Sequence, residues 1–262
     1  MENTSKCKEM AELVKGALTV QKLQRLILDG QWHPSHRKNN TGIGKTLEDL
    51  LDIKENNNSV GDIVVPMLGM VELKSRRIGS ESMVTLFTKS PEPRSVGNRQ
   101  LLERFGYFKE GSSFKELHFT LSYGDNTIRG KKMVMEIPSF GTDSRINLVD
   151  PSEDGGLVVA YYSKKAIEQA AGNKLSLGLI LVEAESKFVN GIEYFMFTKA
   201  TYLCGLDIDA IFQRIKEKVL TLDLRLGTYQ SGKNKGKPHD HGNAFRMPDK
   251  YLDRIFRTQM SL

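Results

Sequence analysis

Apolar residues recur at helical spacing over residues 8–29: Leu13, Val14, Ala17 and Leu18, then Leu23, Leu26 and Ile27. That period predicts helix, with Gly16 a break between two segments and Gly30 the glycine that ends the second. A polar, basic stretch follows over residues 33–45, carrying His33, His36, Arg37, Lys38 and Lys45. It reads as a loop, either simply solvated or in contact with phosphate. Residues 46–51 predict a short helix carrying Glu48, fed by a glycine hinge at Gly42 and Gly44, and residues 56–59 (Asn-Asn-Asn-Ser) predict a loop.

The pattern changes period at residues 62–74. An apolar run opens with Asp62, Pro66 and Gly69 bracket a turn, and Val71-Glu72-Leu73-Lys74 forms a second short strand. Side chains alternate faces along a strand, so Glu72 and Lys74 share one side and Val71 and Leu73 the other. A hairpin brings Asp62 to the polar side. Two carboxylates and an ammonium then meet. Clustered carboxylates repel, and a hard divalent cation such as Mg2+ relieves that repulsion; a lysine beside it positions a water or steadies a phosphate. An amphipathic hairpin with solvated charges is the alternative, because Asp and Glu-x-Lys at this spacing are common by chance.

Downstream, residues 83–87 predict a strand, 90–93 a turn and 98–105 a short helix. Residues 117–123, 133–137 and 146–149 alternate as strands whose links are too short for crossover helices, so antiparallel pairing is expected. Residues 157–162 predict a strand and 164–171 a helix. The continuous apolar run 175–183 predicts a central strand, paired with 194–197. Residues 207–218 form an amphipathic helix pattern through Ile208, Ile211, Phe212 and Ile215. Residues 221–226 predict a strand, and 248–256 a closing helix with proline at its start.

Composition sets the class. The 262-residue chain is 39% hydrophobic and 27% charged, as expected of a globular protein with a buried core. Its net charge of +6 and pI near 9.1 favour a polyanionic partner. Cys7 and Cys204 are the only cysteines, which leaves no disulfide framework and no four-thiolate zinc site. The polar N-terminus is unlike a secretory signal, and the apolar run at 175–182 is too short to span a bilayer, so the expectation is a cytoplasmic protein with no membrane partner. The stretch Thr41-Gly42-Ile43-Gly44-Lys45-Thr46 approaches a phosphate-binding loop, but Asn39 stands where that motif needs glycine and no buried strand precedes it.

A second concentration of chemistry spans residues 223–246. Asp223 and Arg225 are followed by Lys233, Lys235 and Lys237, then His239-Asp240-His241-Gly242, then Arg246. A floppy basic loop is one reading. A zinc site through His239 and His241 lacks companion ligands. As a nucleic-acid loop, its arginines suit bidentate bonds to guanine O6 and N7, and its lysines suit phosphates.

These pieces together resemble the MvaI/BcnI type II restriction endonucleases, relatives of the MutH nicking enzyme within the PD-(D/E)xK nuclease fold. The likeness is carried in family order by Gly30-Gln31-Trp32-His33, by residues 41–51, by Glu72-Leu73-Lys74, by residues 85–91, by Arg104-Phe105-Gly106-Tyr107, by Ala184-Glu185-Ser186-Lys187 and by residues 231–246; it lies closer to the MvaI side. The resemblance implies an α/β fold with a mixed α+β sheet and a MutH-like two-lobed cleft. Residues 1–29 would be an N-terminal helical segment, 30–140 the catalytic lobe and 141–262 a second lobe with the recognition loop. It implies a monomeric, Mg2+-dependent endonuclease, with Mn2+ able to substitute, that cuts double-stranded DNA at CCNGG-type sites (CCWGG by preference), one strand at a time, and is paired with a cognate DNA methyltransferase. Asp62, Glu72 and the Leu73 carbonyl would hold the metal, Lys74 would orient the attacking water and Glu48 would support the site. Asp223, Arg225 and Arg246 would read G·C pairs and His239 the central pair, with Asp240, His241, Lys45 and the three loop lysines also at the DNA. Thr88 stands where BcnI-like members carry a second histidine. The sequence departs from the motif in having Gly61 before Asp62 instead of proline, and in the nine residues between Asp62 and Glu72. A MutH-like strand-nicking repair enzyme and an inert DNA-binding module are the competing expectations.

Overall fold

A computed structural model describes residues 2–54, 61–79, 81–93, 96–139 and 141–262, with side chains from residue 5 onward. The loop expected at 56–59 lies outside the described residues. The chain divides into two compact units, each assembled from separated stretches: Met1–Met83, Gly172–Asp207 and Pro248–Leu262 in the first, Val84–Ala171 and Ile208–Met247 in the second. The stretches alternate along the sequence because the sheet of the first unit takes strands from before and after the bulk of the second.

The first unit is built on a mixed sheet. Its spatial order is His33–Pro34, Ile192–Leu206, Leu179–Val189, Gly69–Arg77, Ile63–Val65, with Phe256–Ser261 also paired to Ile192–Leu206. Leu179–Val189 is the central strand expected from its apolar run. It pairs antiparallel with Ile192–Leu206 and parallel with Gly69–Arg77, setting Leu179 beside Glu72 and Leu181 beside Lys74. The helices Glu2–Gly16 and Leu18–Asp29 break where Gly16 predicted, and Gly30 closes the second in the left-handed region at φ 59°. Their stripe of Met10, Ala11, Val14, Ala17, Val20 and Leu23 joins Val71, Leu73, Val182 and Phe195 in one core. Burial of such apolar side chains is worth about 1.5–3 kcal/mol each, which is why this helical pair is held on the sheet.

Three local expectations are corrected. The closing helix is instead a short 3-10 run, Asp249–Ile255, followed by the strand Phe256–Ser261. Leu252 and Ile255 are three apart, a spacing that serves a 3-10 turn as well as an α-helix. The third helix starts at Gly42, not at residue 46, so the glycines sit inside it; Thr46 donates to the Gly42 carbonyl at 2.8 Å and accepts the His36 amide at 3.0 Å. This is a helix start packed on its own entry loop, with no phosphate cradle. Finally, Cys7 and Cys204 are joined as a disulfide across 197 residues of sequence, a pairing that the count of cysteines gave no reason to expect.

The second unit holds two sheets. Lys131–Glu136, Arg145–Asp150 and Leu157–Ser163 form an antiparallel meander with Gly124–Ile128, as the short links required. The other sheet runs Met83–Thr88, Ala244–Pro248, Thr221–Thr228, Lys115–Leu121, Tyr107–Phe108. Phe87 stacks on Phe245 at 4.9 Å, and Tyr162 meets the same ring edge-on at 5.1 Å, in the core beneath.

The hairpin of the first unit explains the missing proline. Ile63 pairs with Val71, Val64 with Met70 and Val65 with Gly69. Just ahead of that ladder Gly61 lies flat on the opposite strand: a Cβ there would stand 2.6 Å from the Val71 carbonyl carbon and 2.9 Å from the Glu72 amide nitrogen. No side chain fits. Gly61→Ala is expected to cost about 1–3 kcal/mol, the usual range for forcing atoms into a packed site, read as a lowered denaturation midpoint.

Candidate functional site

In the first unit the hairpin delivers Asp62 to the strand that carries Glu72. The Asp62 amide donates to the Val71 carbonyl at 3.0 Å, and the Leu73 amide donates to Asp62 Oδ2 at 2.9 Å. Asp62, one residue ahead of the paired strand Ile63–Val65, is thereby held by backbone and side chain against Val71 and Leu73, the two neighbours of Glu72. The predicted alternation holds: Val71 and Leu73 enter the core, while Lys74 bonds Glu72 Oε1.

Glu72 is fully buried, yet its Oε2 has no hydrogen-bond partner. A buried carboxylate oxygen without a donor is costly, and such groups are rare in folded proteins. The position therefore suits a bound cation. Carboxylate and main-chain oxygens are the hard donors that Mg2+ prefers, and it keeps several of its own waters. Among the described residues no group of three or more His, Cys, Asp or Glu is placed to hold a metal. Glu48 sits half-buried on Gly42–Leu50, a helix whose Ile43 and Leu47 enter the same core as Val71 and Leu73. Lys45, on that helix, is paired with Asp49 at 2.7 Å, and Asp49 also meets His36 Nδ1 at 2.8 Å.

The second unit gathers the other predicted residues. The stretch read as a possible floppy loop is a hydrogen-bonded hairpin: Leu226 pairs with Asp240, Gly227 with His239 and Thr228 with Pro238. The Tyr229 amide donates to the Lys237 carbonyl at 3.0 Å, and the Gly236 amide to that of Tyr229 at 2.9 Å, closing the turn. Lys233, Lys235 and Lys237 are exposed on it. His239 lies between the Tyr229 ring, stacked at 4.2 Å, and the His241 ring at 4.1 Å. Gly227 makes room for that array, since a Cβ there would stand 2.7 Å from His241 Nε2. Thr88 and His239 line one cavity of ≈ 970 Å³ with Asn98, Tyr161 and Tyr229.

Asp223 ties the two arginines together. Its Oδ2 accepts Arg225 Nη2 at 3.1 Å and Arg246 Nη1 at 2.8 Å, while the Thr120 hydroxyl donates to Oδ1 at 2.7 Å. Burial pushes this carboxyl upward, but the Thr120, Arg246 and Arg225 bonds outweigh it and hold the group below its ordinary value. Asp240 has a different task. It accepts the Gly242 amide at 2.8 Å, the Asn243 amide at 2.9 Å, the Asn243 side chain at 3.3 Å and the Ser90 hydroxyl at 2.6 Å. Its carboxylate shapes the turn. Asn243 completes the frame by accepting the Arg225 amide at 2.7 Å. Thr120 and Tyr229 are marked by no local motif, and Ser90 and Asn243 lie inside the stretches 85–91 and 231–246 without a role that the sequence assigns them.

A mixed sheet bearing two carboxylates and a lysine on adjoining strands is the core of a restriction-endonuclease-like nuclease. The model of the MvaI/BcnI restriction endonuclease family matches residues 20–256. Among solved structures the chain is similar to the restriction endonuclease MvaI–cognate DNA substrate complex, at 30% identity and TM-score 0.70 over 92% of this chain and 95% of that one. It is also similar to MvaI in the absence of DNA, at 26% identity and TM-score 0.58 over 94% and 98%. No curated protein matches it. The chain belongs to the MvaI/BcnI restriction endonuclease family, and is with it a type II site-specific nuclease acting on DNA. Among the described residues no helix is long and apolar enough to cross a membrane.

The Asp223 fork makes a pH prediction. A carboxyl whose folded pKa is depressed contributes stability that is complete above its unfolded value, about 3.9, and is lost as pH falls through the folded one. Asp223→Asn is expected to lower stability at neutral pH by about 1–3 kcal/mol, the range for hydrogen bonds to charged groups. It should also flatten the loss below about pH 4, as followed by acid titration of the denaturation midpoint.

Proposed function

We propose that this protein is a monomeric, Mg2+-dependent restriction endonuclease that cuts both strands of DNA at a CCNGG-type site, CCWGG by preference, one strand per binding event. The observation that carries this reading is the buried Glu72 with one unsatisfied oxygen, bonded by Lys74 and followed by Leu73, whose amide holds the Asp62 carboxylate. Asp62, Glu72 and the Leu73 carbonyl would hold the ion, with Mn2+ able to replace it. Bound there, a divalent cation polarises the scissile phosphate and acidifies water. The chain's own groups do the rest. Leu73 N–H fixes the Asp62 carboxylate, Lys74 orients the attacking water for in-line hydrolysis that leaves a 5′-phosphate, and Glu48 supports the site from its helix.

Reading is assigned to the second unit. Arg225 and Arg246, aligned through Asp223, present guanidinium forks suited to guanine. His239 would face the central base pair, with His241 and Thr88 beside it and Asp240 setting the turn. Lys233, Lys235 and Lys237, with Lys45 of the first unit, would meet phosphates, which position without reading sequence. The activity implies a cytoplasmic enzyme accompanied by a methyltransferase that protects the same site.

Supercoiled plasmid incubated with the protein and Mg2+ is expected to yield discrete fragments whose sequenced ends share one CCWGG site. Single-strand nicks alone would instead indicate a MutH-like enzyme, and metal-independent binding without any cutting an inert module. Asp62→Asn and Lys74→Ala should each reduce the cleavage rate at least 100-fold, in line with the usual contribution of a positioned acid–base group, roughly 10²–10⁴. Three to six phosphate contacts predict a log–log slope of binding against salt of roughly −3 to −5, measured by titration of a labelled duplex.

A further inference from the structure

Glu72 is approached by a second lysine. Lys174, in the last turn of Lys164–Leu175, places Nζ 3.5 Å from Glu72 Oε1, the oxygen that Lys74 also bonds. The two residues are 102 apart in sequence. The segment after Lys174 is tied to the Glu72 strand, since the Gly178 carbonyl accepts the Glu72 amide at 3.4 Å, and to the strand Ile192–Leu206, where the Tyr202 hydroxyl donates to the Leu177 carbonyl at 2.5 Å. Residues 174–178 therefore clasp Glu72 through main chain and side chain together. Lys174 keeps 31% of its side chain exposed, against 1% for Glu72, so its ammonium sits where buried acid meets solvent.

A cation in the last turn of a helix ordinarily complements the helix dipole. That role explains a lysine at the position but not its approach to a buried acid whose other oxygen is unpaired. Asp62 and Glu72 carry two negative charges, and Lys74 and Lys174 balance them. With a divalent ion in place the balance becomes positive, and an ammonium on Glu72 is repelled by the ion. The nearest new anion would be the phosphate to be cut.

We propose that Lys174 is a second active-site lysine: it shields Glu72 in the DNA-free protein and moves its ammonium to a non-bridging oxygen of the scissile phosphate when DNA is bound. The assignment rests on Asp62 and Glu72 being the metal site. It predicts competition that a purely structural lysine does not produce. In the DNA-free protein, Lys174→Met is expected to bind Mn2+ about ten-fold more tightly than the parent, because a charge a few ångströms from the ligand has been removed; Lys174→Arg should bind as the parent does. With DNA and metal both saturating, Lys174→Met should cut at least ten-fold more slowly in a single turnover, with DNA affinity changed by less than three-fold, and Lys174→Arg should recover most of the rate.

Titration calorimetry with Mn2+ decides it. Unchanged Mn2+ affinity in Lys174→Met overturns the proposal whatever the cleavage rate, and so does a wild-type single-turnover rate. If Lys174→Met does not fold, Lys174→Gln carries the same comparison. The two readings fail separately. If the unaltered protein binds no Mn2+, or binds it equally well as Asp62→Asn, the metal site itself is wrong; if that binding is present and lost in Asp62→Asn but indifferent to Lys174, only this assignment falls.

Discussion

A carboxylate buried on an inner strand of a sheet is the constraint around which the first unit is arranged. An ionised acid taken out of water must be matched by positive charge or by donors, because the penalty otherwise amounts to several kcal/mol. Glu72 is matched on one oxygen only. Everything near it serves that half-satisfied state. The parallel neighbour Leu179–Val189 covers its flank, the hairpin turns Asp62 back toward it, and Gly61 gives up a side chain so the two strands can touch. A fold that wanted stability alone would place an apolar residue there. Retaining an incompletely paired acid makes sense where a ligand completes it.

The second unit solves a different electrostatic problem. Two guanidinium groups must stand near each other without swinging freely. Asp223 holds both at once and is itself steadied by Thr120, while Asn243 and Asp240 fix the backbone from which Arg225 and His241 extend. The two forks are therefore held in one orientation by a shared carboxylate. The basic turn beyond them is closed by its own backbone hydrogen bonds and leaves Lys233, Lys235 and Lys237 exposed.

Much of this was legible in the chain. Period located the paired N-terminal helices and the Asp62-to-Lys74 hairpin, whose buried faces repeat, and the unbroken apolar run located the central strand, which is buried on both faces at its start. The acid–acid–lysine group was visible because all three members lie on one hairpin. What stayed hidden was long-range or spacing-degenerate. Lys174 meets Glu72 from far along the sequence, and no local pattern marks it. Phe256–Ser261 was absorbed into a helix because Leu252 and Ile255 fit either period, and the sheet edge that recruits it is made of distant residues. Cys7 and Cys204 gave no spacing to read. Gly61 looked like a defect in a motif until the opposite strand showed what a side chain would hit.

The interleaving of the two units has a consequence for how the protein comes into being. Gly69–Arg77 emerges early from the ribosome, but the strand that lines its flank begins only at Leu179, and the last strand of the same sheet ends at Ser261. The intervening stretch, most of the second unit, must be translated first. Nascent chains thus carry Asp62, Glu72 and Lys74 for much of their synthesis without the full sheet that arranges them.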